Sequence, residues 1–257
     1  MNKLDKPIVF INLPKAGLGN KLIVWAHGID FSERHNFENY VLGWFDIKIG
    51  PILRKEKKKR FYFGFFKNSK YDLLFFYKMI IFKKIYNPKQ LSPNHKVVYI
   101  FDTLPEFPGY LNGIYDNRYL IREKFYDLIK PKHLNYLSNC KLPILSVHIR
   151  RSDFTKNDSL EVGSKCNTQT PLSYYINEIT HLRDLTKQIL PVTIFTDGYY
   201  DEIRDLLLLE NVSIANENID IIDLLLMANS QYIIPSPSST FSLWAMFISN
   251  VNLKFNS

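Results

Sequence analysis

Apolar runs and polar breaks alternate from one end of the 257-residue chain to the other. "PIVFINL" is an unbroken apolar run of strand length, the mark of a strand buried on both faces. "GNKLIVWAHGIDFSERH" follows it, with Leu22, Trp25 and Ile29 at helical spacing. "VVYIFD" predicts a second strand. "NRYLIREKFYDLIKPKHLNYL" predicts helix with a break at Pro131, and "LPILSVHIRR" predicts a strand that ends in charge. The second half is more regular. "TPLSYYINEITHL" predicts a helix with Thr170 as N-cap and Pro171 at its first position. "PVTIFTD", "NVSIAN" and "QYIIPS" predict strands; "YYDEIRDLLLLE", "DIIDLLLMANS" and "SSTFSLWAMFIS" predict the helices between and after them. Such alternation specifies parallel sheets covered by helices, an α/β chain. The break between Asn139 and Leu142 divides it into two Rossmann-like domains, 1–139 and 140–257, expected to face a ligand cleft.

One turn in this pattern raises the question of a nucleotide. "KAGLGNKL" sits between the first strand and the first helix, with Gly17 and Gly19 two apart. A dinucleotide fingerprint needs a third glycine at 22, where Leu22 stands, and a P-loop needs G-x-x-x-x-G-K-[ST]. What remains is a glycine-rich turn with polar Asn20 and Lys21. Taken alone it fits an ordinary tight turn as well as a ligand-binding one.

Composition narrows the class. Hydrophobic residues make up 46% and charged residues 23%, a globular balance, and aromatics reach 15%. Two cysteines, Cys140 and Cys166, are too few for a disulfide framework or a thiolate metal cluster and read as reduced thiols. No segment has the length of a membrane span, and the short apolar N-terminal run lacks the pattern of a signal peptide, so the expected location is cytoplasmic.

Charge changes the picture more. The formal net charge is +8, yet residues 54–90 carry twelve Lys or Arg against Glu56 and Asp72, a net of +10, leaving −2 for the rest. Basic and aromatic residues interleave there, from "RKEKKKR" through "YDLLFFYKMIIFKKIY". That combination serves an anionic membrane surface, a nucleic acid, or simply a solvated loop followed by an amphipathic helix. The bulky apolar content of "YDLLFFYKMIIF" favours peripheral contact with a membrane over nucleic acid.

Three strand ends carry candidate chemistry. "HIRRSD", His148–Asp153, leaves a buried strand at the place where open α/β sheets bind ligands. Guanidinium groups suit phosphate because their planar fork makes paired hydrogen bonds and stays charged. One of Arg150 and Arg151 can face a ligand while an acid such as Asp153 holds the other. "TDGYYDEI" places Asp197 at a strand end and Asp201 in the next helical turn, where a carboxylate can bind ribose hydroxyls or a guanine edge, or cap the helix. "PSPSSTFSLW" places Ser238, Ser239 and Thr240 at a helix N-terminus, which is an anion site or a serine-rich cap. No metal-ligand spacing, nucleophile elbow or Cys–His pairing is present.

Together, "GLGNKL", "HIRRSD", "TPLSYY", "TDGYYDEI" and "PSSTFSLWAMF" occur in an order that resembles the GDP-fucose-dependent fucosyltransferases with an H-x-R-R-x-D motif. The chain is most similar to the bacterial α-1,2-fucosyltransferase-like proteins of glycosyltransferase family 11, over residues 8–34 and 142–248. The resemblance implies a GT-B fold, GDP-fucose as donor, inversion at the fucose anomeric carbon, and no metal cofactor. It implies that Arg150 binds the diphosphate, that Arg151 supports it, and that His148 shapes the donor site. It sets Gly17, Gly19 and Asn20 near the diphosphate or the fucose. It gives Asp197 or Asp201 to the guanosine, and Ser238, Ser239, Thr240 and Phe241 to the phosphates and base. Lys21 departs from the family's usual Gln, "TDGYYD" replaces an S-D-D type, and the chain is short for two such domains.

The chemistry of that reading follows from charge. Departing GDP develops negative charge on its β-phosphate, and Arg150 beside a helix N-terminus stabilises it increasingly as the bond lengthens. An acceptor hydroxyl attacks from the opposite face, with Asp153, Asp158 or Glu161 as candidate general base. The expected acceptor is a glycan, in lipid-linked form or free, with galactose 2-OH as the expected position. The alternatives are another nucleotide-sugar donor or linkage on the same fold, and a non-catalytic nucleotide- or nucleic-acid-binding protein.

Overall fold

The computed structural model describes residues 5–45, 62, 64–67, 69–152, 154–155, 167–216 and 218–250. Residues 54–61, Asp153, Asp158, Glu161 and Cys166 lie outside them. The described chain forms two compact units that divide between Lys130 and Pro131. The apolar pattern predicts a boundary after Asn139. The difference is the short helix Pro131–Ser138, which packs on a helix of the second unit.

The first unit is a four-stranded parallel sheet. Its strands are β1 (Ile8–Asn12), β2 (Glu38–Leu42), β3 (Lys83–Tyr86) and β4 (Val97–Phe101), in the order β2-β1-β4-β3. β1 and β4 are central and nearly wholly buried, as unbroken apolar runs require. The edge strands β2 and β3 escape sequence reading, and each buries little: only Tyr40 and Val41 are buried in β2, and none of "KKIY" in β3. Helix α1 (Leu18–His35) packs on the sheet with Leu22, Trp25 and Ile29 buried, as their spacing predicts. Its close approach to β1 falls at Gly28, where a Cβ would stand 2.4 Å from Ile11 Cγ1. A glycine therefore permits tight helix–strand packing, but more than a turn later than the fingerprint position 22. Helix α2 (Leu73–Ile81) lies over a cluster of Phe10, Tyr40, Val98 and Ile100, into which it sends Phe75. Asp72 caps it by accepting the Phe75 N–H at 2.8 Å. Helix α3 (Arg118–Leu128) closes the unit, with Ile121 and Phe125 buried.

The second unit repeats the plan. Strands β5 (Leu145–Ile149), β6 (Val192–Thr196), β7 (Val212–Ile214) and β8 (Tyr232–Ile234) run parallel in the order β7-β6-β5-β8. The helices are α4 (Pro131–Ser138), α5 (Leu172–Thr186), α6 (Arg204–Leu207), α7 (Asp220–Ala228) and α8 (Thr240–Ile248). Leu145, Val147 and Ile149 of β5 share a core with Tyr175, Ile179 and Leu182 of α5. α7 and α8 pack on each other. α5 starts one residue later than expected: Pro171 is its N-cap residue and Thr170 caps nothing.

Candidate donor site at the carboxyl edge of the second sheet

Because β5 lies between β6 and β8, three turns emerge side by side: Arg150–Ser152, Asp197–Gly198 and Pro235–Ser239. These are the three strand ends singled out in the sequence. The alternation of β5 sends Ser146 and His148 to the face opposite the α5 core, and the His148 ring lies 5.3 Å from that of Phe241 on α8.

The two arginines diverge. Arg151 is buried, and its Nη1 donates to the Thr170 carbonyl at 2.8 Å. Burial pulls its pKa down, while Tyr175, Glu202 and Asp197 push it back up. Gly198 makes room for it: a Cβ there would stand 2.7 Å from Arg151 Cγ. The acid holding Arg150 is Asp197, with Nη1 and Oδ2 2.6 Å apart. The Arg150 guanidinium also lies over the Phe154 ring, 5.4 Å from its centroid, and its side chain keeps 18% exposure. Arg150 is thus the more exposed of the two arginines, and Arg151 the one built into the frame.

Asp197 ties the edge together. Its Oδ1 accepts the Arg151 N–H at 2.8 Å, and its Oδ2 accepts the Ser152 hydroxyl at 2.6 Å. Burial alone would raise its pKa. The Arg150 charge, with the Ser152 and Arg151 hydrogen bonds, outweighs burial and holds the carboxylate below its ordinary value. In the structure its oxygens serve the "RRS" turn. Asp201 lies exposed in a short 3₁₀ turn, Tyr200–Glu202.

The serine turn meets the same frame. Ser238 is buried and donates its hydroxyl to the Thr168 carbonyl at 2.9 Å, and the Ser239 N–H donates to the Ser236 carbonyl at 2.9 Å. Ser239 is the N-cap residue of α8 but makes no side-chain cap, and Thr240 and Phe241 open the helix. The fully buried Tyr175 sits where Arg151, Thr170 and Ser236 converge. Sequence reading missed Tyr175, Thr170 and Gly198 as site residues. The signal was present, since "TPLSYY" and "TDG" both flank the motifs. It also missed Asp223, a buried carboxylate that accepts from Asn218 Nδ2 at 3.3 Å. Asp223 stands in the first turn of α7, which starts from this edge of the sheet.

The "GLGN" turn belongs to the first unit. Gly17 is the N-cap residue of α1, Gly19 is buried and Asn20 half-buried. The Leu18 N–H donates to the Tyr62 hydroxyl at 2.9 Å, so this first-turn donor is already used. Lys21 is completely buried and its ammonium donates to the Gly43 carbonyl, a structural role. A separate cavity of about 650 Å³ in the second unit, lined by Tyr136, Asn139, Phe195, Asn211 and Asn216 among others, contains none of the predicted residues. Among the described residues, no group of three or more His, Cys, Asp or Glu could hold a metal ion. No helix among them is long and apolar enough to cross a membrane.

Neither a protein-family model nor a curated protein sequence matches the chain. Solved structures do. The crystal structure of POFUT1 in complex with GDP-fucose aligns with a TM-score of 0.59 at 12% identity, over 98% of this chain and 96% of that one. NodZ α-1,6-fucosyltransferase soaked with GDP-fucose aligns with a TM-score of 0.55 at 12% identity, over 93% and 92%. Fucosyltransferase NodZ from Bradyrhizobium gives 0.55 at 11% identity, over 93% of each chain. At such identities the likeness is one of fold: the chain has the GT-B-like fold of these fucosyltransferases.

Proposed function

We propose that the protein transfers fucose from GDP-fucose to a hydroxyl of a glycan. The observation that carries this reading is the meeting of Arg150, the "RRS" turn and the N-terminus of α8 at one sheet edge. A diphosphate suits that meeting. Arg150 supplies a charged fork, and the N-terminus of α8 supplies the positive end of a helix dipole. The likeness to proteins crystallised with GDP-fucose supports the choice of donor.

The roles divide by burial. Arg150 takes the β-phosphate and exchanges part of its pairing with Asp197 for the ligand. Asp197, Thr170, Tyr175 and Arg151 keep the turn in shape, while Ser239, Thr240 and Phe241 face the phosphates and base with His148 behind Phe241. Asp197, Asp201 and Asp223, the last buried in the first turn of α7, are the candidate carboxylates to accept from the guanine N1–H and amino group. As the glycosidic bond lengthens, charge gathers on the β-phosphate where Arg150 and the α8 donors already point, which lowers the barrier more than it tightens binding. Attack from the opposite face inverts the anomeric carbon. Asp153 and Asp158 are the candidate bases. No metal is required by this scheme.

The acceptor is proposed as a surface-glycan precursor, in lipid-linked form, taking fucose at galactose 2-OH. That linkage rests on the sequence resemblance; NodZ is an α-1,6-fucosyltransferase. A donor screen tests the reading: GDP-fucose, GDP-mannose, UDP-galactose and ADP-glucose incubated with a galactose-terminated oligosaccharide, with products followed by mass. Transfer from GDP-fucose alone is expected. Transfer from a uridine or adenosine donor, or competition by UDP equal to that by GDP, overturns it.

A further inference from the structure

Helix α2 is inverted. Its single charged residue, Lys78, is buried, with Nζ donating to the Lys6 carbonyl at 2.8 Å and lying 5.7 Å from the Phe82 ring centroid. Its outward face is instead apolar: Leu73, Phe76, Tyr77, Ile80 and Ile81 are all exposed, Leu73 to 89% and Ile80 to 76%. Their spacing is i, i+3, i+4, i+7, i+8, one continuous stripe along the helix. Surface helices of soluble domains carry the opposite pattern. A stripe this wide departs from scattered exposed residues and marks an interaction face.

What covers it is decided by its surroundings. Exposed Lys70 precedes the helix, and exposed Lys83 and Lys84 follow it on edge strand β3, with exposed Tyr86 beside them. Asp72 and Glu38 are the acids at this end; Asp72 is engaged at the N-cap, and both lie beside the Tyr40 hydroxyl. Apolar and aromatic side chains in the middle with lysines at the ends match a bilayer interface, where rings and branched chains enter the headgroup–acyl boundary and ammonium groups meet lipid phosphates. A protein partner of ordinary polarity would leave the lysines without complement.

We propose that α2 and β3 form a docking surface for an anionic membrane, with α2 lying in the plane of the interface. This does not rest on the donor assignment, which concerns the other unit. The test is co-sedimentation of the full chain with vesicles of equal parts phosphatidylcholine and phosphatidylglycerol, and with phosphatidylcholine alone. Binding to the anionic vesicles, weakened by salt and weak on neutral ones, is expected. Phe76→Ser with Ile80→Ser should lower the partition coefficient at least tenfold, and Lys83→Gln with Lys84→Gln should lower the anionic preference. All four side chains are exposed or on an edge, so fold is preserved; circular dichroism and GDP calorimetry on the same samples check it. Absence of wild-type binding overturns the proposal, as does binding that both variants retain. A wild-type dimer that Phe76→Ser with Ile80→Ser dissociates assigns the stripe to a second copy and overturns it equally.

Discussion

At the scale of single residues, the candidate site is a division of labour between two adjacent arginines. Sequence alone leaves open which faces a ligand. The structure separates them through neighbours that no short motif contains: Thr170 accepts from Arg151, and Gly198 leaves space for it. Gly198→Ala should therefore displace Arg151, destabilise the second unit by about 1–3 kcal/mol and weaken GDP binding, although it touches no proposed ligand atom. Denaturant melts and calorimetry check both effects. Asp197→Asn gives a pH test. The native carboxylate has a lowered pKa, so its stabilisation is complete above the ordinary aspartate value of about 4 and is lost as pH falls through the lowered one. The stability gap between wild type and Asp197→Asn should stay constant from neutral pH down to about 4 and close below it. A gap that widens on acidification would contradict the assignment.

Element by element, legibility followed burial. The central strands and α1 were readable because both β1 and β4 are unbroken apolar runs and α1 buries a regular stripe. β2 and β3 were not, because "ENYVL" and "KKIY" carry neither an unbroken apolar run nor predicted helices on both sides, and such flanking helices are what marked the equally open edge strand β7. The "GLGN" turn lacks the third glycine of a dinucleotide fingerprint, and the glycine that sets the α1–β1 approach, Gly28, lies inside the helix, where sequence reading expects packing and not a close approach. This yields a contrast. Gly28→Ala must push Ile11 aside and should cost about 1–3 kcal/mol, whereas Gly17→Ala meets no atom within 4 Å and should cost below about 1 kcal/mol. Equal costs in urea titrations would show that the approach at Gly28 is not tight.

For the whole molecule, the alternation of apolar runs points to two parallel α/β units, because helices connect most successive strands; β3 and β4, joined by residues 87–96 without a helix, are the exception. The site was legible as three separate strand ends. That they lie side by side follows from the order β7-β6-β5-β8, a long-range pairing no local pattern reports. The central claim is that this edge binds a nucleoside diphosphate through Arg150. Its most direct test is calorimetric titration of GDP into wild type and Arg150→Ala, in buffer containing EDTA. The account predicts binding by wild type without metal and a loss of about 1.5–3 kcal/mol, tenfold or more in Kd, in the variant, the worth of a charge-assisted hydrogen bond. Undiminished GDP affinity in Arg150→Ala, or none in the wild type, would contradict it.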